Sequence, residues 1–281
     1  MQNLVNKPNL AGNEFAMTRA KIHFQEPLNE LLYSRNRESL QVIDFNENQT
    51  IKHLIESSGI PHTEVGQLIA NDQLIDFNYL VNDDDYVIVY PATSKHDQLS
   101  GMLMNGEMTI PVRFILDNHL GKLASHLRML GFDADYSNEY QDKELAESAV
   151  SLGRILLTRD RQLLMHKTIR FGYLIRSLQP EIQILEILDR FNLSSEITFF
   201  QRCLRCNHPL EPVEKSLVEL QLQPLTKKYF QDFNRCTGCR QVYWRGSHVE
   251  RMEKWLRDIL PPKIISNLEA RQLTSPNKNQ P

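Results

Sequence analysis

The four cysteines of the chain fall in two C-x2-C pairs, "CLRC" at Cys203 and Cys206 and "CTGC" at Cys236 and Cys239, with 29 residues between the pairs. A C-x2-C knuckle bends so that two thiolates can face one ion, and two knuckles supply the four ligands of tetrahedral Zn²⁺. Any fold of this chain then has to close a 29-residue insert around one point. Two disulfides are an alternative that an intracellular setting disfavours, and a redox C-x2-C leaves the second pair unexplained. A closed four-sulfur site has no open position for a substrate, so zinc here is expected to be structural.

A length of 281 residues suits two or three compact units, on a prior of about 100–200 residues per domain. No run approaches the roughly 18 apolar residues of a membrane span, and the polar start "MQNLVNKPNLAGNEF" lacks a signal-peptide core. A soluble, cytoplasmic protein without membrane partners is expected. Charge is uneven: residues 1–110 carry 7 Lys+Arg against 15 Asp+Glu, and residues 111–260 carry 22 against 19. A mildly basic body beside an acidic module is compatible with a polyanionic ligand for the body.

After a leader over residues 1–17, "RAKIHFQEPLNELL" and "SLQVIDFN" read as strands. "TIKHLIESSGI" reads as a helix that stops near Gly59, and "EVGQLIAN", "QLID" and "DDDYVIVYP" as further strands. This order over residues 18–91 resembles the β-grasp, ubiquitin-like fold. Its last segment resembles that of sulfur carriers, but Tyr90 is followed by Pro91, Ala92 and Thr93 rather than a terminal Gly-Gly, so carrier chemistry is not expected. Residues 92–110, mixed in Pro, Gly, Ser and Asn, read as a linker.

The rhythm then changes. "VRFILDNH" is an apolar strand ending in Asp117; "LGKLASHLRMLG" sets Leu120, Leu123, Ala124, Leu127 and Leu130 on one helical face with Gly131 as the stop. "FDADYSN", "QDKELAESAVSLG" and "GRILLTRDRQLL" continue as strand, helix and strand. Alternation of this kind implies a parallel α/β sheet, with ligands gathering beyond the carboxyl ends of its strands. Asp117 and Asp160 follow two of those strands and Asp142 opens the helix between them. Carboxylates gathered at one edge repel unless a hard cation such as Mg²⁺ joins them. Each of the three also suits a helix N-cap, which needs no convergence. Asp133 and Asp135 flank a strand, with Asp135 the better placed for the edge, and Glu144 is a supporting acid.

The series "FILDNHLGKLASHLRMLGFDADY", "DKEL" and "GRILLTRDRQLL" closely resembles the Mut-7 C-terminal RNase family, a PIN-like nuclease family, over roughly residues 111–258. The resemblance implies a PIN-like parallel sheet flanked by helices over 111–198, between the N-terminal β-grasp domain and a zinc ribbon with a C-terminal helix over 199–260. It implies metal-dependent hydrolysis of RNA with Asp117, Asp142 and Asp160 holding Mg²⁺ or Mn²⁺, and Lys122, Arg128, Thr158 and Arg159 on the substrate. RNA is then the expected partner, with a protein partner possible through the ubiquitin-like domain. A non-catalytic RNA-binding module and a protein-interaction adaptor are the alternatives. In the ribbon, Arg202, Arg205, Lys227, Lys228, Arg235, Arg240 and Arg245 surround Tyr229, Phe230, Tyr243 and Trp244. That mixture suits single-stranded nucleic acid, and equally the small core of a zinc domain. Trp255, at helical spacing with Val249, Met252, Leu256 and Ile259, is expected in a core, and His208 and His248 at the surface. Residues 261–281 read as a tail.

Overall fold

The computed structural model describes residues 18–33, 37–92, 104–106, 110–266 and 268. The expected leader, most of the expected linker and tail, and the His248 side chain lie outside the described residues.

The first unit contains β1 (Thr18–Phe24), β2 (Leu40–Phe45), α1 (Ile51–Ser57), β3 (Val65–Ala70), β4 (Gln73–Ile75) and β5 (Tyr86–Pro91). Its sheet has the order β2-β1-β5-β3-β4, with β1 and β5 parallel and the other pairs antiparallel. Alternate residues Ala20, Ile22 and Phe24 of β1 and Val87 and Val89 of β5 are buried, as a sheet with one covered face requires. Ile51, Leu54 and Ile55 of α1 join the same core. The expected first strand is shorter than its apolar pattern suggested: it ends at Phe24, and Leu28–Leu31 form a 3-10 turn behind Pro27. Proline has no N–H for the ladder.

The second unit contains β6 (Arg113–Leu116), α2 (Gly121–Met129), β7 (Asp133–Tyr136), α3 (Asp142–Ser151), β8 (Ile155–Thr158), α4 (Arg161–Leu164), β9 (Gly172–Leu174) and α5 (Pro180–Arg190). Its four strands are parallel in the order β7-β6-β8-β9. β8 and β9 are buried at every position, because helices or the first unit cover both faces. On one face Phe114, Leu116, Ile155 and Leu157 pack with α2 and α5. On the other, Ile115 and Leu156 pack with Leu145, Ala146 and Ala149 of α3 in an apolar cluster that runs on into the core of the first unit. α2 stops as its sequence implies: Gly131 at φ +95° lets Phe132 N–H reach Leu127 O (3.0 Å) and Gly131 N–H reach Arg128 O (3.1 Å).

A small antiparallel sheet of β10 (Leu210–Val213), β11 (Phe233–Cys236) and β12 (Val242–Trp244) follows, with α6 (Pro224–Tyr229) in its insert. α7 (Ser247–Ile259) returns to the second unit and buries Leu256 there. No helix among the described residues is long and apolar enough to cross a membrane.

Candidate functional site

In the order β7-β6-β8-β9 the chain leaves β6 toward one neighbour and later returns to the other side, so β6 and β8 flank the switch point of the sheet. Ligands of open parallel sheets bind in the crevice beyond that point. Leu116 pairs with Leu157, which sets Asp117 opposite Thr158 one step further on.

Asp117 is 6% exposed. Its Oδ1 accepts from His119 N–H at 2.8 Å, capping the 3-10 turn before α2, and its Oδ2 accepts from Arg159 N–H at 3.1 Å. The Thr158 hydroxyl donates to the same Oδ2 and accepts from Asp160 N–H at 2.9 Å. Thr158 therefore joins the two acids, and its hydroxyl, fully buried, is occupied in doing so. Asp160 is exposed; its Oδ1 caps α4 through Gln162 N–H at 2.7 Å. Asp117 and Asp160 both cap a helical turn, and both bond to Thr158, Asp117 through its carboxylate and Asp160 through its backbone N–H. Asp142 is exposed on the first turn of α3, where Gln141 is the cap and forms a reciprocal capping box with Glu144. That box was legible as Gln-x-x-Glu in "QDKE", and it makes Glu144 a helix-end residue. Lys122 and Arg159 are exposed.

Arg128, expected on the substrate, lies elsewhere. It is 4% exposed, and its guanidinium donates to Ala134 O (2.8 Å), Leu204 O (3.0 Å) and Arg205 O (3.2 Å), tying α2 and β7 to the first cysteine knuckle. Burial lowers its pKa, yet an arginine keeps its charge. Arg128→Ala strands two knuckle carbonyls, so an expected loss of about 3 kcal/mol should appear as a lower Tm, with the divalent-cation dependence of any cleavage unchanged. Asp133 sits at the opposite end of its strand from the acidic edge. Burial alone would raise its pKa, but hydrogen bonds from Arg154 (2.6 Å) and Asn207 (2.7 Å) and the charges of Arg154 and Arg202 hold it below the usual carboxylate range. A depressed carboxylate stabilises the fold at neutral pH and ceases to do so as acid protonates it. Asp135 accepts from Tyr140 OH at 3.0 Å.

The second centre is the cysteine quartet, whose sulfurs lie within 4.8 Å of one another. Cys206 Sγ is 3.3 Å from Cys236 Sγ, and Cys203 Sγ is 3.6 Å from Cys239 Sγ. Tetrahedral Zn–S bonds imply sulfur separations of about 3.8 Å, so the donor set fits such an ion. Burial would raise the Cys206 thiol, but hydrogen bonds from its neighbours bring it down to about 5, while burial and Cys206 push Cys236 up to about 12. One sulfur ionising at the expense of the next is the behaviour of thiols crowded round a single point. His208 turns its Nδ1 toward Cys206 O (3.0 Å) and is not part of the quartet. Trp244 packs on Phe233 in the ribbon core and Trp255 on His126, so both are packing residues; Tyr229 is exposed.

Among the described residues the cysteines are the one group of three or more potential ligands gathered this closely, so Asp117, Asp142 and Asp160 do not meet within that distance. Mg²⁺ is usually held through one or two carboxylates and several waters. Asp117 and Asp160 bring hard carboxylate oxygens to the edge where Thr158 bonds the Asp117 carboxylate and the Asp160 N–H, a donor set suited to that mode.

The fold and the two centres define a parallel α/β domain with an acidic switch point, braced by a four-cysteine ribbon and preceded by a β-grasp unit. Residues 112–256 match the family described as Mut7-C RNAse domain, and residues 17–97 match Mut7-C ubiquitin. The chain belongs to the Mut7-C RNAse domain family, a nuclease family. Comparison with curated proteins and with solved structures gave no match.

Proposed function

We propose that the chain is a divalent-cation-dependent ribonuclease with Asp117, Asp160 and Asp142 as its acidic residues. The observation that carries this reading is the hydrogen-bonded Asp117–Thr158–Asp160 arrangement at the β6/β8 switch point of a nuclease-family fold. A bound Mg²⁺ or Mn²⁺ supplies a Lewis acid that activates water and offsets charge on the scissile phosphate. Asp117, orientated by three donors, presents a fixed carboxylate, and Asp160 keeps Oδ2 clear of its capping bond. Asp142 adds negative charge from the start of α3. Arg159 and Lys122 are the groups for the phosphate, Arg159 as a bidentate fork and Lys122 as a point charge. We assign Zn²⁺ to Cys203, Cys206, Cys236 and Cys239 in a structural role, which suits a reducing compartment such as the cytoplasm.

The test is incubation of the full chain with labelled single-stranded and structured RNA and Mg²⁺ or Mn²⁺. Cleavage that stops on chelation of the added cation is expected. RNA binding without cleavage would replace this reading by a non-catalytic RNA-binding module, and binding to protein alone by an adaptor role for the ubiquitin-like unit.

A further inference from the structure

The ubiquitin-like unit reaches the acidic edge by two routes. The first runs through Arg161, one residue past Asp160. Its Nη1 donates to Gly59 O (3.3 Å) and to Leu31 O, and its guanidinium lies over the Tyr33 ring, 5.3 Å from the centroid. The cradle for this cation is built into the first unit. Gly59 takes φ +103°, and a Cβ there would lie 2.9 Å from the Tyr33 ring; Tyr33 N–H in turn donates to Ser58 O at 2.9 Å. Gln162, whose N–H is capped by Asp160, also reaches Tyr33 OH at 3.5 Å.

The second route runs along the edge strand. Glu64, 3% exposed, accepts from Leu174 N–H of β9 at 2.7 Å and pairs with Arg176 at 3.4 Å. Ile175 N–H donates to Thr158 O at 2.8 Å, and Thr158 holds Asp117. His62 bridges Glu56 and Ile169 O, at 2.7 Å to each, beside this contact. Both routes end on residues 158–162, the segment that carries Thr158 and Asp160. A unit working only as a tethered adaptor has no need of a buried carboxylate on the strand beside that segment, nor of a cradle for the arginine the segment sends into it.

We propose that the ubiquitin-like unit is a fixed buttress of the acidic edge, and that Arg161 is the positioning residue through which it sets Asp160. The cation-dependent part of this proposal rests on the ribonuclease reading above; the mechanical part does not. Loss of the Arg161 contacts frees the first turn of α4, and Asp160 with it, while Asp117 keeps its own donors. The acids then offer a cation a less ordered pair of oxygens, so affinity for it falls while the chemistry at saturating cation is retained.

The experiment uses the full chain as wild type, Arg161→Ala, Tyr33→Ala and, as control, Arg19→Ala, which breaks only an exposed ion pair with Asp44. Amide hydrogen exchange without added divalent cation is the first readout. Exchange at Asp160 and Gln162 is expected to rise by about ten-fold or more in both Arg161→Ala and Tyr33→Ala, as local opening is eased, and to stay unchanged in the control. The second readout is Mn²⁺ binding followed by electron paramagnetic resonance. A half-saturation shift of about ten-fold is expected, within the usual range for coupled sites, with the cleavage rate at saturating Mn²⁺ close to wild type. Unchanged exchange in both variants overturns the buttress. Raised exchange with unchanged Mn²⁺ affinity overturns the positioning role of Arg161. If the wild type neither binds Mn²⁺ nor cuts RNA, the ribonuclease reading has failed, and the exchange data alone decide the buttress.

Discussion

Asp117→Asn and Asp160→Asn are each expected to lower RNA cleavage by about 100-fold or more, the scale of losing several kcal/mol of charge stabilisation at the phosphate. They should differ in stability, and that difference separates chemistry from folding. Asparagine at 117 has to turn its NH2 either against His119 N–H or against the Thr158 hydroxyl and Arg159 N–H, all of which donate to Asp117 in the folded chain. A buried donor left without an acceptor costs about 1–3 kcal/mol, so this variant should melt earlier. At 160 the side chain is exposed, and an amide oxygen can still accept from Gln162 N–H. Its Tm should hardly move, because exposed substitutions stay within about 0.5 kcal/mol. Kinetics at saturating Mg²⁺, with Tm recorded for each protein, check both. Wild-type cleavage by Asp160→Asn would remove Asp160 from the site, and wild-type cleavage by both variants would sink the acidic mechanism.

Cys236→Ser is expected to have the largest effect on stability. Cys236 is fully buried, its sulfur 3.3 Å from that of Cys206. Structural zinc contributes about 10–16 kcal/mol of apparent binding free energy in small zinc domains, and loss of one thiolate gives up much of it. The ribbon core itself is small, built round Val218, Phe233 and Val242. The damage should not stop there. Asn207, next to Cys206, accepts from Ala134 N–H at 3.0 Å and donates to Asp133 at 2.7 Å, and Arg128 holds Leu204 O and Arg205 O. Metal analysis of reduced protein should fall from near one zinc per chain to near zero, and the Ala134 amide should lose its protection from exchange. A metal-free wild type with an unchanged Tm would rule out the zinc centre.

Local order was legible wherever a short window carried the physics. The alternation of β1, the apolar face of α2 with its Gly131 stop, and the buried strand before Thr158 follow from residue periodicity alone. So did the family resemblance, which rests on ordered motifs. The positions of side chains relative to distant segments were not legible. Arg128 reads from sequence as one more cation on a helix, and Glu64 as one more acid in an acidic module. Nothing near either of them names a partner, since Glu64 meets Leu174 110 residues further on and Arg128 meets Leu204 76 residues further on.

By itself the sequence determined the order of units, the cysteine quartet as a potential metal centre, and the placing of Asp117 and Asp160 just past apolar strands, because hydrophobic period, knuckle spacing and cap chemistry act over a few residues. The tertiary structure decided which strands became neighbours, and therefore that Asp117 and Asp160 both bond to Thr158 while Asp142 is the first residue of α3. It also decided that Arg128 serves the ribbon and that Arg161 and Glu64 make polar contacts between two units whose apolar residues form one cluster. Those outcomes depend on burial and on pairings between distant segments, where a charge is held by whichever carbonyl or carboxylate the closed sheet brings within reach.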